Sequence, residues 1–307
     1  MDTQINESNI FSDIRTIQRD DYSFLLQQLK KLPSSIDMIG TMPPETYKYL
    51  CIVGSRSHSS YGKEVCEKLI AGLAGYPIVI VSGLAYGIDS IAHEAALATG
   101  LKTVAFLGSG LSERFLLTST KFSLMKRIVD AGGAILSGFP REQSADRWTF
   151  PVRNNLMAGI SNAVLVIEAK EGSGTLLTST AASKINRTVL AVPGSIFSHL
   201  TRGPHELIRD GATTITCSAD ILEALGFTIQ TQKIGEPKKE SSENQQKLFE
   251  PILSDDEKML VGRLTTPINK DEFIRSIELP AGYINAVLSE LELKGIIVER
   301  QGLLMVN

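Results

Sequence analysis

The sequence predicts an α/β protein: a Rossmann-like parallel sheet core with a C-terminal winged-helix domain. Three observations predict it. Short apolar runs without polar alternation recur through the middle of the chain, separated by segments of helical spacing, as in a parallel sheet covered on both faces. Two of these runs end in Gly/Ser-rich turns that open helices. After a polar stretch, three helical patterns and a hairpin complete the chain.

Residues 1–48 are expected to form a short N-terminal helical segment, and 49–228 the core, with six or seven strands. The strand 49–53 stops on Gly54, and a helix over 63–73 carries apolar residues at Val65, Leu69, Ile70 and Leu73. A strand over 77–81 leads into SGLAYG, and an Ala-rich helix over 87–99 stops at Gly100. The strand 102–107 runs into GSG. A helix over 121–130 precedes the strand 134–136, and a short helix over 153–159 precedes the strand 163–169. The strand 188–192 ends on Pro193-Gly194. Residues 229–250 are polar and charged and read as a flexible linker. In 251–307, helices over 254–264, 270–277 and 283–294 and a final hairpin make the winged helix, with Ser254 as N-cap and Gly295 as stop.

The turn after the first core strand, GSRSHSSYG, has the chemistry of a phosphate site. Gly54 permits close approach, Ser55 and its neighbouring serines can donate, and Arg56 brings a fixed charge beside a helix N-terminus. A tight turn with a solvated arginine explains that segment equally well. A second turn repeats the grammar: Lys170 is followed by EGSGT, with Ser173, Gly174 and Thr175 at a helix start. Two such turns on parallel strands converge at one sheet edge, where open α/β sheets bind ligands. There is no G-x-G-x-x-G after the first core strand and no G-x-x-x-x-G-K-[ST], so neither a dinucleotide nor a Walker-type triphosphate is supported, and no cofactor is implied.

The blocks GSRSHSSYG, VSGLAYGIDSIAHEAAL, TVAFLGSGL, FPVRNNLMAGIS, VIEAKEGSGTLLT, NRTVLAVPGS and LIRDGA resemble, in order, those of the DNA-processing protein A family (DprA, also called Smf). The resemblance covers roughly 49–225. It implies a protein that binds single-stranded DNA, dimerises, and loads the RecA recombinase in natural transformation. It also implies that Arg56 and Lys170 hold the DNA backbone. The candidate DNA-binding set is Gly54, Ser55, Arg56, Ser82, Gly83, Arg153, Asn154, Lys170, Ser173, Gly174 and Thr175. The chain departs from the family at Leu116, Leu117 and Thr118, where Tyr-Pro and then Asn are usual, and at Gly138, where Glu is usual. It departs again at Asn155, commonly a second arginine, and at Asn186, usually Gly.

Composition agrees with an intracellular, cytoplasmic protein: 43% of residues are hydrophobic, yet no run of eighteen apolar residues exists and the N-terminus carries no secretion signal. Three cysteines without C-x-x-C spacing are expected as reduced core thiols, and four scattered histidines argue against zinc. The net charge of −3 is unevenly spread, with 16 Lys/Arg against 14 Asp/Glu in 51–228 and 6 against 9 in 251–307. Binding must therefore rest on a few placed cations, with avidity from several subunits on one strand. The acidic winged helix, with Glu290 and Glu292 beside Lys294 on its third helix, fits a protein-contact or regulatory role better than a duplex groove.

Asp89 and His93 stand at i and i+4 with no third metal ligand spaced to join them, and are expected to brace the SGLAYG turn. Trp148 and Phe150 suit packing better than base stacking. The segments 200–212 and 219–225 are the expected homodimer surface. Two other functions share this fold. One is a nucleotide phosphoribohydrolase, which needs a catalytic glutamate where this chain has Thr178; the other is a free-nucleotide sensor using the same turns.

Overall fold

The computed structural model describes residues 13–228, 254–264, 268–277, 279–294, 296–300 and 303–306. The chain folds as two compact units, Met1–Gln230 and Thr231–Asn307. The expected linker 229–250 lies outside the described residues, as do the helix stop at Gly295 and the hairpin turn 301–302.

The first unit is built on a nine-stranded sheet of order β1-β2-β6-β5-β4-β3-β7-β8-β9. The parallel part comprises β3 (Lys48–Val53), β4 (Ile78–Ser82), β5 (Lys102–Phe106), β6 (Ala134–Ser137), β7 (Ala163–Val166), β8 (Thr188–Ala191) and β9 (Thr213–Thr214). Alternate residues of these strands enter two separate cores. Leu50, Ile52, Ile78, Ile80 and Leu165 pack on one face; Cys51, Val53, Val79, Val81 and Val164 pack on the other. Both faces are buried, which is why the strands show no polar alternation.

Helices α2 (Ser60–Ala71), α3 (Ile88–Ala98) and α9 (Ser218–Ala224) supply residues to the first of these faces. Helices α1 (Phe24–Gln27), α6 (Thr149–Ile160) and α7 (Leu176–Lys184) supply the second, and α8 (Arg202–Arg209) adds partly buried Leu207 to it. Helices α4 (Glu113–Leu117) and α5 (Phe122–Asp130) cover a third, smaller apolar cluster. Helix α6 starts earlier than expected because Pro151 sits in its first turn, where a missing N–H costs nothing.

The N-terminal segment corrects the expectation of a helical 1–48. Strands β1 (Arg15–Gln18) and β2 (Ser35–Gly40) extend the sheet antiparallel beside β6, with Met38 opposite Leu136, and among the described residues of this segment, 13–48, helix is confined to the 3-10 turn Arg19–Asp21 and the single turn of α1. Leu26 and Leu29 settle over Gly159 of α6, where an added Cβ would lie 2.5 Å from Leu29. The alternation of buried Ile36 and Met38 was the strand signal.

In the second unit, α10 (Asp255–Arg263), β10 (Ile268–Asn269), α11 (Lys270–Arg275), α12 (Ala281–Leu293), β11 (Ile297–Arg300) and β12 (Leu303–Val306) form the winged helix. Ser254 and Glu257 make a reciprocal capping box on α10, and Leu260, Phe273, Ile284, Leu288 and Leu304 fill the core.

The expected homodimer segments are largely spent within the fold. Leu200 is buried, and Ile221, Leu222 and Leu225 belong to the core. Cys51 and Cys66 are buried as expected, whereas Cys217 is exposed at the start of α9.

Candidate functional site

Strand order reverses between β3 and β7: the chain builds outward from β3 through β4, β5 and β6 on one side, then crosses to β7 on the other. At such a switch point the loops beyond the strand C-termini diverge and leave a crevice. A cleft of about 460 Å³ lies there, lined by Gly54, Ser55, Arg56, Arg153, Asn154, Lys170, Ser173, Gly174 and Thr175. Nine of the eleven expected residues are thus brought together, with Phe150, Leu177 and Thr178 beside them.

The turn after β3 is held from three sides. Gly54 is dictated by packing, since an added Cβ would meet the Ile88 side chain at 2.5 Å. The Ile88 amide donates to the Ser55 carbonyl at 3.2 Å, and the Thr175 hydroxyl donates to the Gly54 carbonyl at 3.2 Å. Gly87 is required as well: its φ is +79°, and a Cβ there would lie 2.2 Å from the Ser55 oxygen. Arg56 is left exposed, its guanidinium 5.0 Å from the Phe150 ring centroid.

The two helix N-termini at the switch point are not equivalent. At α2, Ser59 caps the helix by accepting from the Gly62 amide, and the buried carboxylate of Glu168 accepts from both the Ser59 hydroxyl (2.5 Å) and amide (2.9 Å). That anion site is already filled from within. At α7 the cap residue Thr175 turns its hydroxyl to Gly54 instead, and no side chain caps the helix. The open anion site is therefore at α7, beside exposed Lys170.

Ser82, Gly83, Arg153 and Asn154 have other duties. Ser82 is fully buried and donates to the Ile52 carbonyl at 2.7 Å, so it is structural. Gly83 also lies off the cleft: a Cβ there would fall 1.4 Å from Arg153 Nη1, and its bareness makes room for that guanidinium. Arg153 is 4% exposed, donates to the Phe106 carbonyl at 3.2 Å and lies 3.9 Å from Asp89. Burial lowers the Arg153 pKa and raises that of Asp89, while each charge opposes the shift of the other. Asn154 donates to the Gly174 carbonyl at 3.3 Å and ties α6 to the α7 turn.

Only Asp89 of the expected brace holds the SGLAYG turn, accepting from the Ala85 amide at 3.4 Å. His93 instead lies under the sheet, its Nδ1 2.7 Å from the Thr103 hydroxyl, which donates to the Ile80 carbonyl. The histidine must donate through Nδ1, and Nε2 is buried without a partner.

Four cations line the cleft, Arg56, Arg147, Arg153 and Lys170, against one carboxylate, Asp89, among the described residues. Arg147 was not singled out in the sequence, where nothing but its place before Trp148 marks it. Three side-chain polar atoms lining the cleft, Arg153 Nε, Ser173 Oγ and Thr178 Oγ1, are buried without a hydrogen-bond partner. Such groups are rare, and a concentration of them marks a place where a polar ligand completes the bonding. Thr178, not a carboxylate, occupies the position a phosphoribohydrolase needs. Among the described residues no group of three or more metal-ligating side chains occurs, and no helix is long and apolar enough to cross a membrane.

Fold and site together define a Rossmann-like α/β protein with a cationic, incompletely bonded cleft at its switch point and a winged-helix appendage. The chain belongs to the DNA recombination-mediator protein A family, whose model matches residues 13–226; a DprA winged helix domain matches 244–302. It is 35% identical to DNA processing protein DprA of Streptococcus pneumoniae over 73% of this chain and 80% of that one. It is also 35% identical to Protein Smf of Escherichia coli, over 80% of this chain and 64% of that one. The structure of the S. pneumoniae protein superposes with a TM-score of 0.63 at 34% identity, covering 72% of this chain and 77% of that one. DNA processing protein A of Helicobacter pylori, whose structure was described for its single-stranded DNA binding mode, gives 0.61 at 25% identity, covering 69% and 95%.

Proposed function

We propose that the switch-point cleft binds the sugar–phosphate backbone of single-stranded DNA, and that the chain acts as a cytoplasmic homodimer handing that strand to a RecA-type recombinase in natural transformation. The three orphaned polar atoms in a cleft of four cations and one carboxylate carry the DNA reading. A phosphodiester supplies acceptors to Arg153 Nε and the Ser173 and Thr178 hydroxyls while Arg56 and Lys170 neutralise it. The recombinase and the dimer are carried over from the family resemblance and are part of the proposal. No bond-breaking step is assigned, because the one cleft carboxylate, Asp89, is held by Arg153 and the Ala85 amide.

The test is fluorescence anisotropy on oligo-dT with Arg56→Ala and Lys170→Ala, then light scattering and strand exchange with single-strand-binding protein already on the DNA. Each substitution should weaken binding strongly and flatten the log–log salt dependence by about 0.7. Wild-type isotherms for both folded variants would overturn the DNA reading. A monomeric particle, or strand exchange no better than with Arg56→Ala, would overturn the loading role. A panel of mononucleotides separates the second reading, a free-nucleotide sensor, which the cleft volume also suits.

A further inference from the structure

The loop after β8 holds two hydrophobic side chains in water: Ile196 is 78% exposed and Phe197 94%. A floppy loop could fold them away. This one is fastened. The Thr201 hydroxyl donates to the carbonyls of Ser195 (2.6 Å) and Ser198 (2.9 Å), and the Phe197 amide donates to the Ser195 hydroxyl at 3.3 Å. Tyr61 donates to the Pro193 carbonyl at 2.7 Å, anchoring the loop to α2.

The same loop is bonded to the segment after β7 that carries Lys170. The Ala169 amide donates to the Leu200 carbonyl at 2.7 Å, and the Gly203 amide donates back to the Ala169 carbonyl at 3.0 Å. Strands β3, β7 and β8 are parallel neighbours, so the loops bearing Arg56, Lys170 and Phe197 leave the same sheet edge in sequence. They span two strand spacings, about 10 Å. Arg202, 68% exposed, follows on the same side, 4.0 Å from the carboxylate of Glu171.

Resting on the DNA reading of the cleft, we propose that Phe197, supported by Ile196, is a stacking platform for a base of the same single strand where it leaves the cleft on the β8 side. The loop is hydrogen-bonded to the segment that carries Lys170, and its fastened backbone holds an exposed aromatic side chain at low ordering cost. Aromatic platforms beside a charged backbone track are how sequence-tolerant single-strand binders add affinity.

The experiment is anisotropy with full-length protein on oligo-dT and on an abasic strand of the same length, using Phe197→Ala, Phe197→Trp and Arg56→Ala, with light scattering on each. Phe197→Ala should weaken oligo-dT binding about tenfold, leave the salt slope and the abasic strand unaffected, and be rescued by Phe197→Trp. Wild-type oligo-dT binding by Phe197→Ala with weakened Arg56→Ala overturns the platform and spares the cleft. Wild-type binding by both variants overturns the cleft reading and the platform with it. Equal losses on oligo-dT and abasic strands, or dissociation of the particle by Phe197→Ala, assign the loop to protein contact and overturn the proposal.

Discussion

Glu168 closes the α2 N-terminus from inside the protein: both its oxygens accept from Ser59, whose hydroxyl in turn accepts from Gly62. The carboxylate comes from the segment after β7, two residues before Lys170, so one buried group locks together the turns that carry Arg56 and Lys170. It also explains why the anion site lies at α7. A second anion at α2 would meet the Glu168 charge.

Glu168→Gln tests the lock. An amide offers one acceptor oxygen where Ser59 presents two donors, and its NH2 would face one of them. The expected loss is about 1–3 kcal/mol of unfolding free energy, read by urea denaturation. Oligo-dT affinity should fall several-fold with the salt slope unchanged, because Arg56 and Lys170, the cations proposed to bind phosphate, both remain. Wild-type stability for Glu168→Gln would show that the Ser59 bonds carry no weight.

Acid stability should report His93. Burial lowers its pKa from 6.5 to about 3, so the folded state keeps it neutral where the unfolded chain takes up a proton. Below pH 6.5 the unfolded state binds more protons, and stability falls with falling pH. The slope approaches about 1.4 kcal/mol per pH unit between pH 6 and 5. His93→Gln should remove that slope; an unchanged profile would place the acid sensitivity elsewhere.

Much of the core was legible because burial on both sheet faces leaves uninterrupted apolar strands, and because two turns of like grammar announce one edge. The edge strand β1 was not, since it is mostly exposed and pairs along one side only, and β2 joins the sheet through it and β6 in antiparallel pairings that a parallel core does not announce. Which cation stands exposed in the cleft and which is buried in its wall was also hidden. Arg56 and Arg153 look alike in sequence, yet one is exposed and the other is packed against Gly83, a distinction made by packing between residues far apart along the chain. Asn186, where the resemblance leads one to expect glycine, shows the reverse: it holds the left-handed region that glycine favours, with φ at +55°. Asparagine tolerates that region better than other side-chain-bearing residues.

Asn186→Ala should therefore cost about 1–2 kcal/mol, because alanine pays the left-handed penalty in full. Asn186→Gly should cost nothing measurable. Thermal unfolding of the two variants decides it, and equal midpoints would mean that the backbone relaxes at this corner.

The winged helix should contribute little to single-strand affinity, and its ion pairs say why beyond its net charge. Lys294 on the C-terminal end of α12 lies 2.6 Å from Glu257, and Lys270 lies 2.9 Å from Glu299. Two cations of an acidic unit are thus engaged with its own carboxylates, while α12 turns Glu290 to solvent. A phosphate approaching that helix meets negative charge first. Truncation after Phe249 should keep oligo-dT affinity within tenfold of the full chain and leave the salt slope intact, since every cation lining the cleft lies before that cut. A loss greater than tenfold, with the truncated protein folded by circular dichroism, would make the winged helix a DNA module and defeat the charge argument.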